Sequence, residues 1–175
     1  NNIINESGNT ITIGASGDTV IVPSGATLNV AGTLQSGGSA LVTGKVLQVV
    51  AGTDNTQRSA SSSNMSHGNS TAIATLTPSA TSSKILVIAN TTVGKASGTG
   101  NYSIFRDNTT NLATNYMLRS DGDNSGLMFS AAVLDSPNTT SEINYRIKWN
   151  NSSSAATYIG YDSSFTSVVA IEIGA

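Results

Sequence analysis

The apolar residues that open this chain arrive in bursts of two or three, each cut off by a glycine corner. Thr10-Ile11-Thr12-Ile13-Gly14, Thr19-Val20-Ile21-Val22-Pro23-Ser24-Gly25 and Thr27-Leu28-Asn29-Val30-Ala31-Gly32 follow one another. A weaker unit ends at Gly37-Gly38, and a fifth, Ala40-Leu41-Val42-Thr43, is closed by Gly44. Gly17, Gly25 and Gly32 are spaced eight and seven residues apart, a period that holds one short strand and a corner but not a pair of helices. Ile11 and Ile13, Val20 and Val22, Leu28 and Val30 each sit two apart and share a face. One such stripe per rung buries too little apolar area to hold residues 1–44 folded alone. The stripes are therefore expected to meet where several copies wind about a common axis, as a β-helical or β-prism shaft. A solenoid capped by a larger body and a pair of hairpins packed on the main domain are the alternatives.

From Lys45 onward the strands lengthen, and the first aromatic residue is Tyr102, so a boundary is placed at Gly44, giving units 1–44 and 45–175. Ser, Thr, Asn and Gly make up roughly half of the 175 residues, a composition that opposes helix. With 38% hydrophobic residues in short β-branched runs, the chain reads as ordered all-β rather than disordered. Strands are predicted over 46–50, 71–77, 84–91, 101–106, 112–118, 127–134, 142–149, 157–161 and 166–173, separated by turn clusters such as Ser97-Gly98-Thr99-Gly100. In Ile143-Asn144-Tyr145-Arg146-Ile147-Lys148-Trp149 every odd position is apolar, which predicts one core face and one wet face. Lys84–Ala89 reads as a central strand, and Val169, Ile171 and Ile173 are expected to face inward with Glu172 outside. About nine strands joined by short turns point to an antiparallel sandwich of jelly-roll type, whose strand order the sequence leaves open. Residues 54–69, which lack an apolar pattern, read as a linker in preference to an extended segment.

Eight Lys and Arg against ten Asp and Glu, with no basic block, provide no electrostatic footprint for nucleic acid. The absence of cysteine excludes disulfides, thiolate metal sites and cysteine nucleophiles. No run reaches the ~18 apolar residues of a membrane span, so no membrane insertion is expected. The single histidine, His67, lies between Ser66 and Gly68 with no carboxylate nearby in sequence, which speaks against metal or catalysis; no cofactor is expected. Asp121-Gly122-Asp123-Asn124-Ser125-Gly126 begins like a calcium loop, but Ala132 stands where the bidentate Glu belongs. Asp107, Asp121, Asp123, Asp135 and Asp162 sit in or beside turns, where paired carboxylates for glycoside hydrolysis would need about 5–10 Å separation; solvated turn residues are the commoner case. The Asn-x-Ser/Thr triplets, at Asn90, Asn101 and Asn150 among others, are compositional.

Two features remain for binding. Tyr102, Arg106, Tyr116, Arg119, Trp149, Tyr158 and Tyr161 fall near predicted strand ends, and Tyr, Trp and Arg concentrate binding energy while aromatic faces stack on sugar rings. Alternation puts Tyr145 and Trp149 on the inner face, which leaves Tyr116, Arg119, Tyr158 and Tyr161 as candidate receptor-binding residues. Long small-polar turns also suit hydrogen bonding to a hydroxylated ligand.

Thr10–Val20 together with Pro23–Leu34 resembles the repetitive shaft segments of bacteriophage tail fibres, notably those of marine phages. Gly44-Lys45-Val46-Leu47-Gln48-Val49-Val50 and Ser167-Val168-Val169-Ala170-Ile171-Glu172-Ile173-Gly174-Ala175 resemble the opening and closing strands of fibre-tip modules in the same proteins. The resemblance covers both ends of the chain but not its middle. It implies a parallel homotrimer in the virion, a β-rich shaft leading to a C-terminal knob, and a structural or host-recognition role without a catalytic motif. The chain begins Asn1-Asn2 rather than with Met and is expected to be a piece of a longer fibre, whose N-terminal part would join other virion structural proteins. The expected partner of the knob is a host-surface receptor, a glycan among the candidates. A capsid fibre or decoration protein and, from another class, a glycan depolymerase are the alternatives.

Overall fold

The computed structural model describes residues 19–32, 35–36, 39–40, 45–65, 70–121 and 126–174, and the chain divides into two units, Asn1–Val42 and Thr43–Ala175. In the first unit, Ala26 N–H donates to Pro23 O at 3.0 Å across a turn with Gly25 at φ 84°. The corner expected at Pro23-Ser24-Gly25 is present, whereas the strands expected on either side of it are not formed within one chain. A strand exists through a hydrogen-bonded neighbour, and the described residues of this unit supply none to them. β1 (Gln35–Ser36) and β2 (Ser39–Ala40) pair antiparallel. Thr10–Gly14 and Leu41–Gly44 of the repeat, His67, and the interior of the calcium-like loop lie outside the described residues.

The second unit is all-β, with no α-helix among the described residues. Its strands are β3 (Val46–Asp54), β4 (Arg58–Ala60), β5 (Ala74–Leu76), β6 (Lys84–Lys95), β7 (Gly100–Arg106), β8 (Thr110–Asn111), β9 (Leu118–Ser120), β10 (Leu127–Asp135), β11 (Ile143–Asn151), β12 (Thr157–Ile159) and β13 (Thr166–Ile173). The larger sheet is built around β6, the expected central strand. β10 pairs along one side of it, while β13 and then β12 share the other. Beyond β13 lies β3, and beyond β12 lies β4. The smaller sheet runs β5, β11, β7, with β8 and β9 both on the far side of β7. All pairings are antiparallel.

The two sheets share one core. Ile143, Tyr145, Ile147 and Trp149 of β11 are 0–3 % exposed, as their period-two pattern predicts, and meet Ile85, Val87, Ala89 and Val93 of β6 together with Val168 and Ala170 of β13. The large rings bring polar atoms inside, and each has a partner: Trp149 Nε1 donates to Thr157 O at 2.9 Å and the Tyr102 hydroxyl to Gly94 O at 3.1 Å. Tyr102 and Trp149 are therefore core residues rather than binding residues. Gly52 of β3 is required by close approach, since a Cβ there would lie 2.2 Å from the backbone oxygen of Ile73.

One charged cluster joins the sheets. Arg106 Nη1 of β7 reaches both carboxylate oxygens of Asp135 on β10, at 2.9 and 2.8 Å, and the Tyr145 hydroxyl of β11 donates to the same carboxylate at 2.7 Å. Burial and the adjacent Asp135 push the Tyr145 phenol above its ordinary range, so it stays a donor. Asp135, expected as a solvated turn residue, is thus a buried structural anion. Asp107 also has a structural role, its Oδ1 accepting the Asn144 N–H at 2.9 Å.

Three further expectations are corrected. Residues 112–117 form bends, not a strand, because the Asn111 side chain takes local backbone partners: its Oδ1 accepts the Ala113 N–H at 3.1 Å and its Nδ2 donates to Asn115 O at 2.6 Å. The stretch read as a linker contains β4, which adds to β12; a three-residue strand with two polar side chains leaves no apolar signature. The facing of β13 is reversed, with Val168, Ala170 and Glu172 inward and Val169, Ile171 and Ile173 on the outer face. Glu172 tolerates burial because Gln48 Nε2 and the Ser79 N–H donate to its carboxylate, each at 2.6 Å. Desolvation raises its pKa, but these bonds outweigh that and hold it below the usual carboxylate range.

Candidate functional site

β12 and β13 occupy one row of the larger sheet, and the chain leaves that row between them. Gly160-Tyr161-Asp162-Ser163-Ser164 is turn-forming sequence, and Gly160, Asp162 and Ser163 take φ 59°, 57° and 55°, left-handed values that end a strand. The excursion is fixed from beneath by β6. Thr91 Oγ1 accepts the Gly160 N–H at 3.0 Å and lies 2.6 Å from Thr166 Oγ1, while Thr92 Oγ1 donates to Tyr161 O at 3.2 Å.

The neighbouring row breaks at the same level, between β3 and β4. There Asp54 accepts from the Thr56 N–H at 3.0 Å, from Arg58 Nε at 3.1 Å and from the Thr71 hydroxyl. Burial raises the Asp54 pKa, but these hydrogen bonds outweigh it and hold the carboxyl at about 2. The break presents Gln57, whose Oε1 accepts the Asp162 N–H at 2.9 Å. Two interruptions in adjacent rows are thereby clasped together.

Tyr161 lies over Gly94, where a Cβ would come 2.5 Å from its ring; glycine at that outward position makes the seat. Tyr158 stands beside it, with ring centroids 5.9 Å apart and planes tilted 53°. Gln57, Ala96, Tyr158, Tyr161 and Asp162 line a cleft of about 520 Å³, within the range of small-ligand sites. Two half-buried aromatic faces stand beside a carboxylate and an amide. This combination suits stacking against, and hydrogen bonding to, a hydroxylated ring.

Of the four candidate residues, Tyr158 and Tyr161 come together here. Arg119 belongs to β9 of the smaller sheet and Tyr116 to the bends that precede it; there Arg119 Nε donates to Asp121 Oδ1 and Oδ2 at 2.8 and 2.9 Å and Thr99 Oγ1 donates to Asp121 Oδ1 at 2.9 Å. Hydrogen bonds to Tyr116 and Asp121 raise the Arg119 pKa, and Arg119 chiefly lowers that of Asp121. The ion pair is open to solvent and does not line the cleft. Sequence reasoning missed Gln57, hidden in the supposed linker, and Ala96. Asp162 was among the turn aspartates, but only the left-handed turn beginning at Gly160 marks it as part of a presented loop.

No protein-family model matches the sequence, and a search of curated proteins finds no similar one. Among the described residues no cluster of His, Asp and Glu is arranged to hold a metal ion, and no helix is long and apolar enough to cross a membrane.

Proposed function

We propose that this chain is a non-enzymatic component of a bacteriophage virion fibre, with a trimeric β-prism shaft in residues 1–44 and a jelly-roll-like knob that binds a host-surface glycan. The observation that carries the binding reading is the paired Tyr158 and Tyr161 in a cleft built on the firmly paired strand β6. Glycoside hydrolysis ordinarily uses two carboxylates about 5–10 Å apart, and among the described residues Asp162 is the one carboxylate lining this cleft, which favours adhesion over depolymerisation. Linked copies would turn individually weak sugar contacts into useful avidity.

Binding of purified host surface polysaccharide to the immobilised chain tests this reading. Tyr158→Ala and Gly94→Ala, the latter evicting Tyr161 from its seat, are each expected to weaken binding at least tenfold and to lower stability by only about 1 kcal/mol. Release of new reducing ends would establish depolymerisation instead. Neither binding nor release would favour a decoration role on the particle.

A further inference from the structure

The outer face of the larger sheet is apolar where a lone domain would be polar. Reading across the strands in register, Val49, Ile171, Leu86 and Leu134 form one outward row. The next outward row is Ala51, Val169, Ile88 and Ala132. Beyond it the face becomes polar at Thr53, Ser167, Asn90 and Ser130. Val49 and Leu134, at the two sides of the sheet, are each 58 % exposed. With strands ~4.8 Å apart and the rows extended by Leu47, the patch covers roughly 300 Å² even when taken as flat, within the range of about 300–600 Å² of the largest patch on a typical monomer, which is often functional.

We infer that this face is covered by a second copy of the same chain. Three observations favour that occupant. First, neither apolar row itself carries a charge: Glu172 and Asp135 point inward, and Lys84, the outward charge of these strands, borders the rows and donates to Ser136 Oγ at 2.8 Å. Contact between copies about a rotation axis brings like residues near one another, which the two uncharged rows permit. Second, β10 pairs only with β6 among the described residues, and its nine residues contain no proline and no charge before Asp135. Such an unguarded edge invites non-specific pairing unless it is covered. Third, the first unit has the same deficiency independently: Val20, Ile21, Val22, Leu28 and Val30 remain 42–77 % exposed. A stable pair buries about 800 Å² on each partner, more than the patch alone supplies. A further copy of the chain brings a cover for both units, whereas a ligand of the sheet face would leave the first unit bare.

The reversed facing of β13 then acquires a reason. Val169 and Ile171 are core residues of the assembly, and the strand is buried on both sides. This inference rests on the fibre reading for the number of copies, not for the choice of face.

Light scattering of the full chain tests it. The unmodified protein and Thr75→Lys, on the outer side of the smaller sheet, are expected at three times 17.8 kDa. Val49→Lys combined with Leu134→Lys is expected at 17.8 kDa with an unchanged far-ultraviolet spectrum. A trimer that survives both lysines overturns the choice of face and leaves the fibre reading intact; a monomeric unmodified protein overturns both. Should the double variant unfold, maleimide labelling decides, since the chain has no cysteine of its own. Ala132→Cys should label at least tenfold more slowly than Thr75→Cys in the otherwise unmodified protein. Equal rates refute coverage, and slow labelling in a monomer would assign the cover to another part of the same chain.

Discussion

Replacing Asp135 by Asn tests whether the Arg106–Asp135–Tyr145 cluster holds the two sheets together. The Asp135 side chain is 9 % exposed and that of Arg106 20 %, so the substitution leaves a guanidinium largely out of water facing a neutral amide. Removing one member of a buried pair costs 3–5 kcal/mol, and the partial access of Arg106 to solvent brings the expected loss to about 2–3 kcal/mol. Tyr145→Phe removes only the hydroxyl donor, leaving Asp135 with Arg106 and with the Ser136 N–H at 2.8 Å; about 1.5 kcal/mol is expected. The double change Arg106→Met with Asp135→Leu removes both charges and should return to within about 1 kcal/mol of the parent. Urea unfolding at one fixed protein concentration measures all three, with midpoints moving and slopes unchanged. An Asp135→Asn midpoint within about 0.5 kcal/mol of the parent, or a double variant no better than that single one, would show that water already solvates the cluster.

Acid should unfold the domain through carboxylates that are held ionised. The Asp54 pKa in the fold is about 2 against an ordinary 3.8, so its contribution is complete above 3.8 and is lost as the pH falls toward 2. Solvent screening keeps that contribution near 1–2 kcal/mol, and thermal melts of Asp54→Asn should be correspondingly flatter over this window, with the Glu172 bonds acting in the same sense. Gly52→Ala is expected to cost more than about 3 kcal/mol, because the added carbon meets the Ile73 backbone rather than a movable side chain. Melting within 2 °C of the parent would show that the two segments part easily.

Strands whose two faces differ were legible in the sequence. β11 is predicted nearly residue for residue because its apolar positions all meet one core, and β6 because an apolar run that long is central in a small sheet. β13 misled because alternation reveals that two faces differ without revealing which one the same chain covers. Its apolar face lies outward, and its glutamate is satisfied by Gln48 and Ser79, partners distant in sequence. Half of the candidate site was readable for a similar reason. Tyr158 and Tyr161 announce themselves as aromatics in a chain with few, whereas Gln57 gains its place only through pairing of β4 with β12, which no local pattern encodes.

The position of β13 between β3 and β6 also dictates when the second unit can form. Of these strands β3 is made first, yet among the described residues its only ladder is to β13, more than a hundred residues later. On the ribosome it must wait, while β6 emerges with one side unpaired along most of its length. Contacts this distant in sequence slow folding, and the waiting strands carry the apolar rows of the outer face. The vulnerable interval is therefore synthesis, and stop codons or frameshifts anywhere before residue 166 should yield insoluble chains rather than shortened, folded domains.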